Sequence, residues 1–260
     1  MDFLTLQTRA GPLGFIGRLH TDRRRPALLI VNGSFPSKTH RHDLIERFPG
    51  ANVLIANLPG MAGVPWATPT VADLTEGLGE AVARLLPEVP IVAFGASTGN
   101  LLSLGLRLPN IRRRVMLEPF FQTKDLWPFI DNSRKRMAGN PGNTAMAHYF
   151  WEFLGIAQDR VENRDYRWLL DNITVPTDAL MGGAPLLPER ESEIWPSFTS
   201  QEDREALAAH PLVTMLVGAP DTGHAFGMMF GDREGENRST YVDVVKVLHA
   251  ALLDLAQYCA

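Results

Sequence analysis

Ile-Val-Ala-Phe-Gly-Ala-Ser-Thr-Gly-Asn-Leu-Leu-Ser-Leu, residues 91–104, is the segment of this chain with the clearest structural pattern. Its first four residues form an apolar run typical of a strand buried on both faces of a parallel sheet. Its last five residues begin a helical pattern. Between them is a Gly-x-Ser-x-Gly motif centred on Ser97, in which two glycines permit a tight strand-to-helix turn that exposes the serine hydroxyl. The segment predicts a nucleophilic serine; an inert serine in a glycine-rich turn is the alternative.

The same alternation of short apolar runs and amphipathic segments continues on both sides of this motif. Predicted strands are Phe3–Gln7, Leu13–His20, Ala27–Asn32, Val53–Asn57, Ile91–Gly95, Val115–Glu118, Asp178–Gly182 and Leu212–Gly218. Predicted helices between and after them are Thr70–Leu86, Gly99–Leu108, Ser200–His210 and Thr240–Tyr258. This order is typical of an α/β fold with a mainly parallel eight-stranded sheet, helices on both faces and two antiparallel strands at one edge. A chain of 260 residues suits one such domain, residues 1–260.

One segment, residues 119–172, interrupts the alternation and is called the insertion below. It has no clear strand pattern, is rich in aromatic residues and predicts helices at Lys124–Met137, Thr144–Leu154 and Arg164–Leu170. A helical insertion between two strands predicts a cap subdomain over a site. We expect most of its aromatic side chains to pack against the sheet and a minority to face a pocket.

Composition excludes several classes of protein. With 25 basic and 29 acidic residues, the net charge of −4 gives no electrostatic basis for binding nucleic acid. The arginine runs Arg23–Arg25 and Arg112–Arg114 are interpreted as solvated loop residues. The single cysteine, Cys259, cannot form an intramolecular disulfide. No apolar run approaches the ~20 residues of a membrane span, and the first residues lack a signal-peptide pattern, so we expect a cytoplasmic protein without a membrane partner.

Four further segments carry a resemblance to a known family. They are Val31-Asn32-Gly33-Ser34-Phe35-Pro36, Asn57-Leu58-Pro59-Gly60-Met61-Ala62-Gly63, Ile173-Thr174-Val175-Pro176-Thr177 and Gly223-His224. Together with the Ser97 motif they resemble the α/β-hydrolase superfamily over nearly the whole chain. The first is similar to the loop after the third strand that completes the family's oxyanion hole. Asn32 and Asn57 depart from the usual His and Asp, but neither position supplies a triad residue.

A serine nucleophile needs an adjacent base, and His224 is the best candidate among seven histidines. It follows an apolar run and comes last in the order serine, acid, histidine that this fold uses. A loop histidine that caps local backbone is the alternative interpretation. The same order places the acid between Ser97 and His224.

Two positions remain open for the acid. The family's usual position follows strand seven, where the sequence has no acidic residue before Glu189 and Glu191. The other family position follows strand six, where Glu118 ends an apolar run before a proline. This arrangement resembles some haloalkane dehalogenases, whose nucleophile is an aspartate, so only the position of the acid is carried over. We favour Glu118, which would hold the His224 tautomer; the alternative is that Glu118 pairs with an arginine of the insertion.

The resemblance also implies an oxyanion hole and a reaction. The backbone N–H of Thr98 would be one donor, and that of Ser34 or Phe35 the other. The implied reaction is hydrolysis of a carboxylic ester or thioester through an acyl-enzyme, and the aromatic residues of the insertion favour a small, apolar substrate. No metal or organic cofactor is expected, because the sequence has no metal-binding or phosphate-binding motif. Acyl transfer or C–C bond hydrolysis by the same triad, and a non-catalytic ligand-binding relative, remain alternatives.

Overall fold

The computed structural model describes residues 2–22, 24–33, 42–124, 126–184, 186, 196–220, 223–224 and 238–258. Its centre is an eight-stranded sheet. The strands are β1 (Asp2–Thr8), β2 (Gly11–Arg18), β3 (Ala27–Val31), β4 (Asn52–Asn57), β5 (Ile91–Ala96), β6 (Ile111–Leu117), β7 (Thr177–Met181) and β8 (Val213–Val217). Their order is β1-β2-β4-β3-β5-β6-β7-β8, with β1 and β2 antiparallel at one edge and the others parallel. The predicted mainly parallel sheet is confirmed.

Helices cover both faces of this sheet. They are α1 (His42–Arg47), α2 (Val71–Leu85), α3 (Gly99–Gly105), α4 (Trp127–Gly139), α5 (Thr144–Leu154), a 3₁₀ helix (Arg167–Asn172), α6 (Gln201–Ala209) and α7 (Arg238–Tyr258). Neighbouring β3 residues point to opposite faces, so Leu29 packs with α2 and α3 whereas Leu28 packs with α1 and α7. Both faces are therefore apolar. Within the described ranges, no helix has the length and apolar character needed to cross a membrane.

The sequence fixes the start of α2 through its cap. Asp73 N–H donates to Thr70 Oγ1 at 3.0 Å, and Thr70 N–H donates to Asp73 Oδ2 at 3.1 Å. This reciprocal pair satisfies two of the N–H groups that a helix start leaves without partners. Leu74 and Leu78 then lie on the buried face of the helix.

One prediction about charged residues is wrong. The run Arg112–Arg114 lies within β6 rather than in a solvated loop. The Arg114 side chain is buried and donates to the carbonyls of Ser103 and, at 2.8 Å, Leu106, so it satisfies the C-terminal end of α3. Burial lowers the pKa of Arg114 to about 10, so the side chain keeps its charge at neutral pH. A buried strand tolerates this arginine because helix-end carbonyls accept its hydrogen bonds.

The insertion is helical and connects β6 to β7. Its helices are α4, α5 and the 3₁₀ helix, which begins at Arg167, later than the predicted start at Arg164. Gln122 forms an antiparallel bridge with Asp165, and Arg164 N–H donates to Thr123 Oγ1 at 2.8 Å. These contacts hold residues 164–165 extended against the start of the insertion. The buried aromatic residues of the insertion are Phe120, Phe121, Phe129, Tyr149, Phe150, Phe153 and Tyr166.

Candidate active site

Ser97 occupies the turn between β5 and α3 with a left-handed φ of 52°. Such a conformation is uncommon for a residue with a side chain, and it costs on the order of 1–3 kcal/mol. A Cβ on Gly95 would lie 2.7 Å from the Cα of Asn100, and one on Gly99 would lie 2.2 Å from the carbonyl oxygen of Val31. Both glycines are therefore required by close backbone approach, as the motif predicts.

Asn100 fixes the turn from the helix side. Its Nδ2 donates to the carbonyl of Ser97 at 2.9 Å and to the carbonyl of Leu117 at 2.8 Å. The second bond ties the start of α3 to the end of β6. Asn100 carries no distinctive signal in the sequence, because an asparagine in the first turn of a helix is common to many helices without this role.

Glu118 lies beside Ser97 at the carboxyl edge of the sheet. Ala96 of β5 pairs with Leu117 of β6, and Ser97 N–H donates to the Leu117 carbonyl at 2.9 Å. Glu118 also has a left-handed φ, 51°. Ser97 and Glu118 therefore leave adjacent strands at the same level, each in a strained conformation of the kind that concentrates at functional sites.

The Glu118 carboxylate is buried and accepts four hydrogen bonds. Oε1 accepts the N–H of Gly182, and Oε2 accepts the N–H of Phe198 at 2.9 Å. The Ser197 hydroxyl donates to the carboxylate, 2.9 Å from Oε2 and 3.1 Å from Oε1. His224 Nδ1 lies 3.1 Å from Oε2. The alternative in which Glu118 pairs with an arginine of the insertion is not what the described contacts show.

His224 is buried and held on two sides. Its backbone N–H donates to the carbonyl of Pro196 at 3.1 Å, and its Nδ1 faces Glu118. Because a carboxylate only accepts hydrogen bonds, Nδ1 carries the proton in this arrangement and Nε2 is the accepting nitrogen.

Two atoms of this cluster have no hydrogen-bond partner among the described residues. They are Ser97 Oγ and His224 Nε2, both buried. The structure thus joins His224 to Glu118 directly, but it does not place Ser97 and His224 in a hydrogen bond with each other. A buried polar atom without a partner is uncommon and needs an explanation, and a catalytic role is one such explanation.

The loop after β3 begins directly over the Ser97 turn. A Cβ on Gly33 would lie 3.0 Å from the Ala96 carbonyl oxygen and 3.2 Å from Ser97 Cβ. The two candidates for the second oxyanion donor, Ser34 and Phe35, lie outside the described residues, as do the alternative acids Glu189 and Glu191.

Thr98, the candidate for the first oxyanion donor, touches the insertion. Its Oγ1 is hydrogen-bonded to the hydroxyl of Tyr149 in α5, and Tyr149 stacks on Phe153 with ring centroids 4.3 Å apart. The insertion therefore contacts the residue that follows Ser97. Sequence reasoning missed this contact, because a tyrosine on an apolar helix face predicts burial and does not identify its partner.

A second buried carboxyl group lies where α6 meets the insertion. Asp203 Oδ2 accepts the N–H of Phe121 at 3.0 Å, whereas Oδ1 has no hydrogen-bond partner among the described residues. Burial raises the pKa of Asp203 to about 6. Neighbouring Glu202 accepts from Gln122 at 2.9 Å. The first turn of α6 therefore fastens the start of the insertion.

The raised pKa of Asp203 predicts how stability depends on pH. The folded protein binds the carboxyl proton of Asp203 more tightly than the unfolded chain does. The contribution of Asp203 to the free energy of unfolding is therefore largest at low pH and is lost as the pH rises through about 6. Between about pH 4.5 and pH 8, the free energy of unfolding of Asp203→Asn should rise by about 2 kcal/mol relative to wild type. Urea denaturation of both proteins at the two pH values measures this change. Glu205→Gln, the same charge change at an exposed position of α6, should show no such trend. If the stability of Asp203→Asn relative to wild type is equally independent of pH, the raised pKa of Asp203 is contradicted.

A large groove lies elsewhere on the molecule. Its volume is about 820 Å³, and it runs between α2, α3 and the insertion, with Leu101, Arg164 and Trp168 in its lining. Ser97, Glu118 and His224 do not line it. Among the residues that the structure describes, no group of three His, Cys, Asp or Glu side chains is arranged to hold a metal ion.

Comparisons with solved structures identify the fold. MenH from S. aureus shares 15% identity with this chain at a TM-score of 0.64, covering 94% of this chain and 98% of that one. A thermophilic esterase from Thermogutta terrifontis shares 15% identity at a TM-score of 0.62, covering 98% and 100%. The carboxylesterase CesB from Bacillus subtilis shares 16% identity at a TM-score of 0.61, covering 95% and 90%. No protein-family model and no curated protein matches the sequence. On its strand order and these likenesses, the chain has the α/β-hydrolase fold.

Proposed function

We propose that this chain is a serine hydrolase that cleaves a carboxylic ester or thioester of a small, apolar substrate. Ser97 is the nucleophile, His224 the general base and Glu118 the acid that orients it. One observation carries the proposal: a buried Glu118–His224 hydrogen bond lies at the strand edge where Ser97 adopts its strained turn, and Ser97 Oγ and His224 Nε2 are both without a described partner.

Acylation follows from these roles. Ser97 Oγ attacks the substrate carbonyl carbon as its proton passes to His224 Nε2. Glu118 stabilises the imidazolium that forms, because its Oε2 accepts the Nδ1 proton. The tetrahedral intermediate then collapses, and the leaving alcohol or thiol takes the proton from Nε2. Water enters the same cycle in the second half-reaction and releases the acid from Ser97.

The oxyanion of each tetrahedral intermediate needs hydrogen-bond donors at a fixed position. We assign the backbone N–H of Thr98 as one donor and that of Ser34 or Phe35 as the second. The close approach of Gly33 to the Ser97 turn supports this assignment, because Ser34 and Phe35 follow Gly33 directly in the sequence. Donors fixed before the reaction stabilise the developing charge without reorganisation.

The insertion acts in this proposal as a cap whose aromatic side chains favour an apolar acyl group. The hydrogen bond between Tyr149 and Thr98 supports this role, because it brings α5 next to the nucleophile turn. Phe198, packed between His224 and Phe129 of α4, adds a second apolar surface beside the base.

A p-nitrophenyl ester series of increasing acyl length tests the proposal, run beside matching thioesters and with or without an acceptor alcohol. We expect burst kinetics, turnover that rises with acyl length over the shorter esters, and labelling of wild type by a fluorophosphonate probe. A product ester formed with the acceptor alcohol would indicate acyl transfer. Failure of both hydrolysis and labelling would favour a non-catalytic ligand-binding protein.

Activity should also fall on acidification. A histidine base must be neutral to accept the serine proton, and histidine side chains change charge between about pH 5 and 8. We therefore expect kcat/KM for one ester to drop at mildly acidic pH and to recover at neutral pH. The measurement needs circular dichroism at each pH as a control for folding. A flat profile across this range in folded protein would rule out a histidine base.

A further inference from the structure

Phe198 touches the candidate base through its ring. The phenyl ring lies face to face with the His224 imidazole, with centroids 3.6 Å apart and planes inclined by only 14°. Both side chains are buried. A flat neighbour at this distance fills the space that the imidazole would need in order to rotate out of its plane.

The same residue touches the candidate acid through its backbone. Phe198 N–H donates to Glu118 Oε2 at 2.9 Å, and His224 Nδ1 is 3.1 Å from that same oxygen. The preceding residue, Ser197, donates its hydroxyl to the carboxylate as well. One short segment therefore fixes both partners of the Glu118–His224 bond. It follows β7, the region in which the family's acid usually lies.

The Phe198 ring is itself held by the insertion. Phe129 of α4 forms a T-shaped pair with Phe198, with centroids 5.5 Å apart and planes at 88°, and a second T-shaped pair with Phe150 of α5, at 5.9 Å and 80°. Edge-to-face geometry is the preferred arrangement of aromatic pairs and defines the orientation of each ring. The column Phe150–Phe129–Phe198 thus runs from the insertion to His224.

We propose that Phe198 is a positioning residue that fixes the plane of the His224 imidazole and so aims Nε2 at the nucleophile. The inference rests on the proposed function. The covalent bond at Cγ and the hydrogen bond from Nδ1 to Glu118 hold one edge of the imidazole, but the ring plane can still tilt about that edge. The stacked phenyl ring removes this freedom. Since catalysis depends steeply on geometry, a swing that moves Nε2 by about 1 Å would cost on the order of 10²-fold in rate.

Phe198→Leu separates the ring from the rest of the residue. Leucine keeps the backbone N–H to Glu118 and an apolar side chain, but it has no flat face to stack on His224. We expect kcat for a p-nitrophenyl ester to fall by about ten-fold or more while KM changes less than about three-fold. Fluorophosphonate labelling should slow in proportion to kcat, since it also requires His224 to accept the Ser97 proton. Phe198→Tyr, which keeps the flat ring, should recover most of the lost kcat.

The matched control is Phe15→Leu, the same change at a buried phenylalanine of β2, a strand separated from β5 by β4 and β3. It should lower the thermal midpoint as Phe198→Leu does and leave kcat unchanged. A kcat for Phe198→Leu within about two-fold of the Phe15→Leu value would overturn the inference. If the leucine variant is insoluble, Phe198→Met gives the same comparison, because methionine fills irregular space without a flat face.

This experiment separates the inference from the function on which it rests. A wild type that neither hydrolyses esters nor reacts with the probe defeats the proposed function. If the wild type hydrolyses esters and reacts with the probe, and Phe198→Leu is equally active, only the positioning role is contradicted. Phe129→Leu adds a test of the column: its effect on kcat should be smaller than that of Phe198→Leu and should vanish in the double variant, because Phe129 acts through Phe198.

Discussion

Replacing Ser97 with alanine should abolish ester hydrolysis and leave the protein folded. The change removes the atom that attacks the carbonyl, and serine-protease precedents give a loss in kcat of roughly 10³-fold or more. The fold should tolerate it because Ser97 Oγ is buried without a hydrogen-bond partner in the described part of the chain, so no bond seen there is lost. Steady-state kinetics on one p-nitrophenyl ester and thermal denaturation measure the two effects.

A matched control exists in the insertion. Ser133 of α4 is also buried, and its Oγ likewise has no hydrogen-bond partner among the described residues. Ser133→Ala makes the same chemical change away from the nucleophile turn and should retain wild-type kcat. Near wild-type activity in Ser97→Ala at matched purity would show that Ser97 is not the nucleophile, and equal losses in both variants would point to a structural cause.

The fold was predictable because its signal is local. Strands covered on both faces are near-continuous apolar runs, and the predicted runs lie within a few residues of the observed strands from β3 to β8. The Ser97 turn was predictable for a similar reason, since the requirement for glycine at residues 95 and 99 arises from backbone atoms close in sequence or on the neighbouring strand. The six-residue α1 is too short for periodicity to define it.

Contacts between distant segments left no such signal. Phe198 lies 80 residues from Glu118 in the chain, and His224 lies 106 residues from it. Nothing in the composition around Ser197 and Phe198 indicates that the hydroxyl and the N–H meet a carboxylate, or that the ring meets an imidazole. The prediction for Arg114 was wrong for the same reason. A basic side chain is acceptable in a buried strand only when helix-end carbonyls lie beside it, and the sequence does not show those carbonyls.

Arg204 illustrates how the region after β7 supports the acid that follows β6. Its Nη2 donates to the carbonyl of Gly182 at 2.6 Å, and the N–H of Gly182 donates to Glu118 Oε1. Burial lowers the pKa of Arg204, and the negative charge of Glu118 opposes that effect. Residues after β7 thus supply hydrogen-bond donors and a positive charge around Glu118.

Glu118→Gln should also cause a severe loss of activity. Every described group around the carboxylate is a donor: the N–H groups of Gly182 and Phe198, the Ser197 hydroxyl and His224 Nδ1. Glutamine keeps the shape but turns one accepting oxygen into an NH₂ group. If that group faces His224, the imidazole moves its proton to Nε2 and cannot accept the proton of Ser97. The serine-protease precedent is a loss of up to ~10⁴-fold, and we expect at least ~10²-fold in kcat/KM.

The controls are Glu189→Gln and Glu191→Gln, which make the same change at the two alternative acids. Each should remain within a few-fold of wild type on the same ester. Glu118→Gln should also lower the free energy of unfolding by about 1–3 kcal/mol, because a buried donor is left facing other donors, and urea denaturation measures this separately from kcat. A severe loss in Glu189→Gln or Glu191→Gln beside a mild one in Glu118→Gln would move the acid to the segment after β7. The roles of Ser97 and His224 do not depend on that comparison, since either acid would orient the same histidine toward the same hydroxyl.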